Sequence, residues 1–376
     1  MITLRPCIAV ATLLASAQAP AVPPPPIVTD QGIAMQRKVL NWMPGEVRCG
    51  GQAVAVIAMP RPLVEFGLSP QGDTAQRSYR FRIDAAGRPL SIVQDKSAGW
   101  HVVADDLGPM LAATRFGAGA PRVDCVITFT AQASSIDDAA VRDLMAYSIS
   151  PISGRLPPEG WKRIAPAGST CMTAPRPAPL NRAFPDFDAL PATPGAREWS
   201  MIGYDLDARG RPVHLRIVEG TGNRALDAAS MKAVRGSRFT GGARAGCLYP
   251  YWRAAATLAA PQRPDPASLR PENGNCPGGH AWAVEPKLTY PAAWRRRAIE
   301  GWAAIAYDVA PWGGIGNVRV LASEPAAAFG QQALQIVQSA RKAPSQSGAS
   351  GCVEMIRFVM DRNDMPADGE APGFGE

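Results

Sequence analysis

The sequence predicts an α+β protein of three small domains in tandem. Each is a short antiparallel sheet in the order strand-strand-helix-strand, with a packed helix and one disulfide of its own. Three observations predict this: the spacing of six cysteines, a hairpin pattern that occurs three times, and a helical pattern after each hairpin. With Cys7 set aside, the cysteines are Cys49, Cys125, Cys171, Cys247, Cys276 and Cys352. Successive pairs are each 76 residues apart, while the gaps between pairs differ. A triplicated domain with unequal linkers produces such spacing. It favours one of the fifteen connectivities open to six cysteines: Cys49 with Cys125, Cys171 with Cys247, and Cys276 with Cys352.

Each hairpin shows period-two alternation on both sides of a glycine-containing turn, the mark of a half-buried sheet. In the first unit Tyr79, Phe81 and Ile83 alternate, Asp84-Ala85-Ala86-Gly87 turns, and Leu90 and Ile92 follow. In the second, Ile202, Tyr204 and Leu206 precede Asp207-Ala208-Arg209-Gly210, then Val213, Leu215 and Ile217. The third has Ile305, Tyr307 and Val309, a turn through Gly313, Gly314 and Gly316, then Val318 and Val320. After the third hairpin Ser323 can cap a helix with Pro325 in its first turn and Phe329, Ala333, Ile336 and Ala340 on one face. In the second, Asn223 can cap a helix carrying Leu226, Ala229 and Ala233; in the first, Gly108-Pro109 interrupts the pattern and shortens the helix. Each unit closes with a strand near its second cysteine, clearest in Cys352, Ile356, Phe358 and Met360.

The chain therefore divides into a signal peptide (1–17), a Pro-containing segment (18–45), the first unit (46–132), a helical linker (133–165) with a helix over 135–148, the second unit (166–258), a Pro-rich linker (259–272), the third unit (273–362) and a polar tail (363–376). Each unit is expected to own a core, modest at this size, so its disulfide should matter. The signal reading rests on Arg5, an apolar stretch from Cys7 to Ala17, and Ala15-Ser16-Ala17 as a cleavage site. That stretch is shorter than the roughly 20 residues of a spanning helix, so export with cleavage is expected, and retention as an anchor is the alternative.

The net charge of +7 comes mostly from arginine. A basic surface can bind nucleic acid or anionic lipid. Here the cations are scattered apart from Arg295-Arg296-Arg297, with no interleaved aromatics, and they read as a solvated cationic surface. No nucleic-acid partner is expected. His101, His214 and His280 are far apart and no C-x-x-C occurs, so the cysteines read as structural and no metal is expected.

Leu288-Thr289-Tyr290-Pro291-Ala292-Ala293, followed by Glu300-Gly301-Trp302 and the third hairpin, resembles the opening of the TonB C-terminal domain family. Leu226-Asp227-Ala228-Ala229 through Ala233-Val234 and Arg238-Phe239 resembles its later part, and the first unit is a fainter copy. The resemblance implies a periplasmic domain of a Gram-negative envelope that takes an extended segment of an outer-membrane receptor as an added strand. The family's pairing strand maps to Val353, Glu354, Met355, Ile356, Arg357, Phe358, Val359 and Met360. A TonB energy transducer, active in transmembrane transport, carries an uncleaved membrane helix with a histidine and a long Pro-rich spacer. Here the spacer shrinks to Ala21-Val22-Pro23-Pro24-Pro25-Pro26, at about 3.1 Å per residue a small part of the periplasm. A stand-alone binding or scaffolding protein fits better.

Gly220-Thr221-Gly222-Asn223-Arg224-Ala225 matches G-x-G-x-x-A, but the strand before it alternates, whereas a dinucleotide-binding strand is buried on both faces. His214 faces outward beside Arg216 and has no evident nucleophile or carboxylate partner. No G-x-S-x-G, H-E-x-x-H or Walker sequence occurs. The chain reads as a non-enzyme without cofactor, binding a protein. A structural envelope protein without a specific ligand, a TonB-type transducer with a retained anchor, and an enzyme built from scattered residues stay open as alternatives.

Overall fold

The computed structural model describes residues 36–69, 75–95, 105–272, 274–276 and 281–360. The expected signal segment, Cys7, His101, His280 and the polar tail lie outside these residues. No helix among the described residues is long and apolar enough to cross a membrane.

The first unit comprises β1 (Gln36–Pro44), β2 (Arg48–Cys49), β3 (Gln52–Ala53), β4 (Val56–Ala58), β5 (Glu65–Ser69), β6 (Gln76–Ile83), β7 (Pro89–Gln94), α1 (Leu107–Ala113), β8 (Arg115–Phe116) and β9 (Arg122–Ser134). Two helices, α2 (Val141–Ile149) and α3 (Pro158–Ile164), lead to the second unit: β10 (Pro179–Asn181), β11 (Glu198–Leu206), β12 (Pro212–Gly220), α4 (Arg224–Gly236), β13 (Arg238–Phe239) and β14 (Arg244–Arg253). The third has β15 (Trp282–Val284), α5 (Ala292–Arg296), β16 (Gly301–Val309), β17 (Ile315–Glu324), α6 (Ala327–Gln338), β18 (Arg341–Lys342) and β19 (Ala349–Phe358).

One plan recurs in all three. The first hairpin strand is central, with its hairpin partner on one side and the closing strand on the other: β7-β6-β9, β12-β11-β14 and β17-β16-β19, all antiparallel. An aromatic on the central strand, Phe81, Tyr204 or Tyr307, stands opposite the second cysteine. A two-stranded ribbon, β4-β8, β10-β13 or β15-β18, joins the lead-in to the segment after the helix. The lead-in thus contributes a short strand in each unit, and in the third it also carries α5. The hairpin turn packs onto the ribbon through a glycine: Phe116, Phe239 and Lys342 donate their N–H to the carbonyls of Gly87, Gly210 and Gly313. Gly313 has a φ of 81°, and a Cβ there would lie 2.0 Å from the Lys342 carbonyl oxygen, so only glycine fits. The disulfides join Cys49 to Cys125, Cys171 to Cys247 and Cys276 to Cys352.

Some local details differ from the sequence reading. Asn223 caps α4, accepting from the N–H groups of Ala225 and Leu226. Ser323 instead ends up inside β17, Pro325 precedes the helix, and α6 starts after Ala326 without a side-chain cap. Gly108-Pro109 does not interrupt α1 but lies within its first turn, where a missing N–H costs nothing. Ser135 accepts from the Asp138 N–H in a turn, and the helix expected over 135–148 begins only at Val141.

The expectation of one core per unit fails for two of them. The largest apolar cluster joins Tyr79, Phe81 and Ile127 of the first sheet, Leu107, Met110 and Leu111 of α1, and Ile305, Phe329, Val337 and Phe358 of the third unit. Helix α1 is buried all round, and this marks an element sandwiched between two sheets. The second unit keeps its own core around Ile202, Tyr204, Val234 and Tyr251. The other face of its sheet, with Trp199 and Met201, packs on Leu144, Tyr147 and Ile149 of α2 and on Val39 and Phe66 of the first unit.

Polar contacts reinforce the junction. Ser91 and Arg82 of the first unit bind the Glu324 carboxylate, and the Ile92 N–H donates to the Pro325 carbonyl. Arg297 reaches further: its guanidinium grips both Asp106 oxygens at 2.6 Å and donates to the carbonyls of Gly195 and Arg61. One side chain, 4 % exposed, thereby ties together all three units. For Arg297 this corrects the reading of the cations as a solvated surface, while Arg295 is exposed.

Candidate partner-binding edge

The six residues from Val353 to Phe358 lie in β19, while Val359 and Met360 follow its end. Among the described residues, β19 pairs only with β16, so it is an edge strand. Its start is covered: Asn275 donates its N–H to the Ser350 carbonyl and accepts the Ser350 N–H on its side chain. Beyond the bulge at Gly351, Ile356 and Phe358 turn into the core, where Phe358 meets Phe329 edge-on at 5.1 Å. By alternation Val353, Met355 and Arg357 share the opposite face.

Glu354 also turns inward. It hydrogen-bonds Tyr307 and faces Lys342, whose ammonium sits 3.4 Å from the centre of the Trp282 ring. Burial pushes the Glu354 carboxyl up and the Lys342 ammonium down, each opposed by the charge of the other. Burial likewise raises the Tyr307 hydroxyl, and Glu354 adds to this. This cluster braces the underside of β19 and leaves Glu354 turned away from the edge.

The three units treat the same edge differently. Thr128, Pro250 and Met355 are equivalent, standing opposite Ser78, Met201 and Ala304 of the central strands. In the second unit the Thr221 N–H donates to the Trp199 carbonyl on the β12 side. Alternation then turns the backbone of Leu248, Pro250 and Trp252 away from β11. In the first unit the Thr128 carbonyl points outward and accepts from Gly45, next to β1, which pairs along β9 from Val39 to Pro44. Residues 36–44 therefore add a strand to the first sheet, although the sequence division left them ahead of it. The second unit has proline at the outward position, and proline has no donor. Met355 has both donor and acceptor, and in the equivalent register both point outward.

Other residues singled out in the sequence serve the backbone. His214 is exposed but has a carboxylate partner after all: its Nδ1 lies 3.0 Å from Asp205. Asp205 also accepts the N–H of Gly246 in the β14 bulge. Asn317, Asp308 and Gly351 repeat this arrangement in the third unit, with asparagine in place of histidine. The N–H of Gly246, and then His214, hold the Asp205 carboxyl below its usual range. Within Gly220 to Ala225, Thr221 closes the sheet edge against Trp199, and Asn223 caps α4 and donates to Glu198.

With this geometry in view, residues 286–360 match the family described as Gram-negative bacterial TonB protein C-terminal. No curated protein matches the chain. The match lies within the third unit, and domains of this Gram-negative envelope family mediate protein–protein interaction.

Proposed function

We propose that this protein, its third unit a TonB C-terminal domain, is a non-catalytic periplasmic binding protein that takes an extended segment of an outer-membrane or other envelope protein as a strand along β19. The comparison of the three edges carries this reading. The first is filled by the chain's own β1, the second is barred by Pro250, and the third presents an outward donor and acceptor at Met355. Three disulfides suit an oxidising compartment, in keeping with export directed by residues 1–17. The first two units are, on this reading, diverged copies of the third, retained for architecture.

Photo-crosslinking groups at Val353, Met355 and Arg357 in the periplasm should capture one envelope protein through a defined segment. Met355→Pro should abolish capture while circular dichroism stays unchanged, since Pro250 shows the same residue accommodated at the equivalent position. If Met355→Pro and Arg357→Pro both fold and still capture the segment, pairing at this edge is wrong. Absence of any saturable capture by the unsubstituted protein would favour a structural envelope role.

A further inference from the structure

We propose that the cleft where the three units meet is a binding site for a small amphipathic monocarboxylate. The cleft is a cavity of about 410 Å³, within the range of small-molecule sites. Six arginines line it: Arg61 and Arg115 of the first unit, Arg142 of α2, Arg197 of the second unit, and Arg296 and Arg297 of the third. The lining carries only two carboxylates, Asp143 and Glu198. From behind, Asp105 pairs with Arg296, Asp106 with Arg297 and Glu219 with Arg142. The lining itself therefore carries more positive than negative side chains, which an anionic head group complements.

The arginines differ in how tightly they are engaged. Arg297 engages four of its five N–H donors within the junction, is buried, and serves as a fixed wall. Arg197 is stacked on Trp252 at 4.5 Å and donates to Ser150. Arg61 is looser: its guanidinium reaches Asp143 only at 3.8 Å and its side chain is 54 % exposed. Its backbone carbonyl, however, is held by Arg297, so the residue is anchored while its fork is available. Arg142 approaches Glu219 at 3.4 Å and is 44 % exposed. A planar guanidinium pairs with a carboxylate through two parallel hydrogen bonds, a match to Arg61 or Arg142 at the mouth. Met59, Leu63, Val64 and Trp199 supply an apolar wall for the rest of the ligand. The site is separate from β19, and its test does not depend on the reading of that edge.

Isothermal titration of the full chain at low ionic strength, with octanoate and with 3-phenylpropionate, tests this and separates an aliphatic from an aromatic ligand. At least one should saturate at one site per chain, and the uncharged analogue 1-octanol should bind at least tenfold more weakly than octanoate if octanoate is the one that binds. Arg61→Gln and Arg142→Gln, both at exposed positions, should keep the melting temperature, and at least one should weaken binding tenfold or more. The proposal is overturned if neither carboxylate saturates, if octanol matches an octanoate that does bind, or if both variants bind as the unsubstituted protein does.

Discussion

Glu65 places a carboxyl where water barely reaches. It is 4 % exposed, and its Oε1 has no hydrogen-bond partner among the described residues. Burial, then the charges of Asp105 and Asp106, push it up to about 8 from the usual 4.5. Between those two values the folded chain holds a proton that the unfolded chain has released. Stability therefore falls as pH rises through this window, by at most about 1.4 kcal/mol per pH unit, and levels off above it. Denaturant midpoints should drop between pH 5 and pH 8, and Glu65→Gln should flatten the dependence and stabilise the protein at pH 8. Equal slopes for the two proteins would show that Glu65 ionises freely in the fold.

For the elements, the Cys276–Cys352 bond matters most, because it anchors β19 beside the proposed binding edge. Closing a loop of 76 residues stabilises by up to about 4 kcal/mol in the chain-entropy view. Replacing both cysteines by alanine should lower the unfolding free energy by up to that amount and speed amide exchange in β19 ahead of β16. The hairpins were legible in the sequence because alternation and the Asp-x-x-Gly turns are local signals. Asn223 was legible as a cap for the same reason. The ribbons were not, since strands of two or three residues carry no periodicity. Strand β1 was missed because the backbone of β9 specifies its pairing and no side-chain pattern announces it. The edge itself was placed only by resemblance. Proline at 250 was a readable difference, but its meaning needed the register against Met201.

In the whole molecule, the first and third units share one core across the second, which lies between them in sequence but not in that cluster. Residues 273–362 alone would expose the surface that Leu107, Met110 and Leu111 cover, so the fragment should fail to unfold cooperatively. In the full chain, Arg297→Ala leaves Asp106 buried without its partner and should cost about 3–5 kcal/mol, read as a lowered calorimetric transition. A silent substitution would mean that the junction is held by apolar packing alone. Neither the shared core nor Arg297 could be read from the sequence, because both depend on how distant segments dock. The unequal edges have one more consequence. A threefold repeat invites the idea of a multivalent receptor, gaining avidity from linked identical sites. With one edge occupied by β1 and another closed by Pro250, the proposed pairing along β19 would make the chain monovalent: titration with its partner segment should end at one per molecule, with affinity drawn from a single strand.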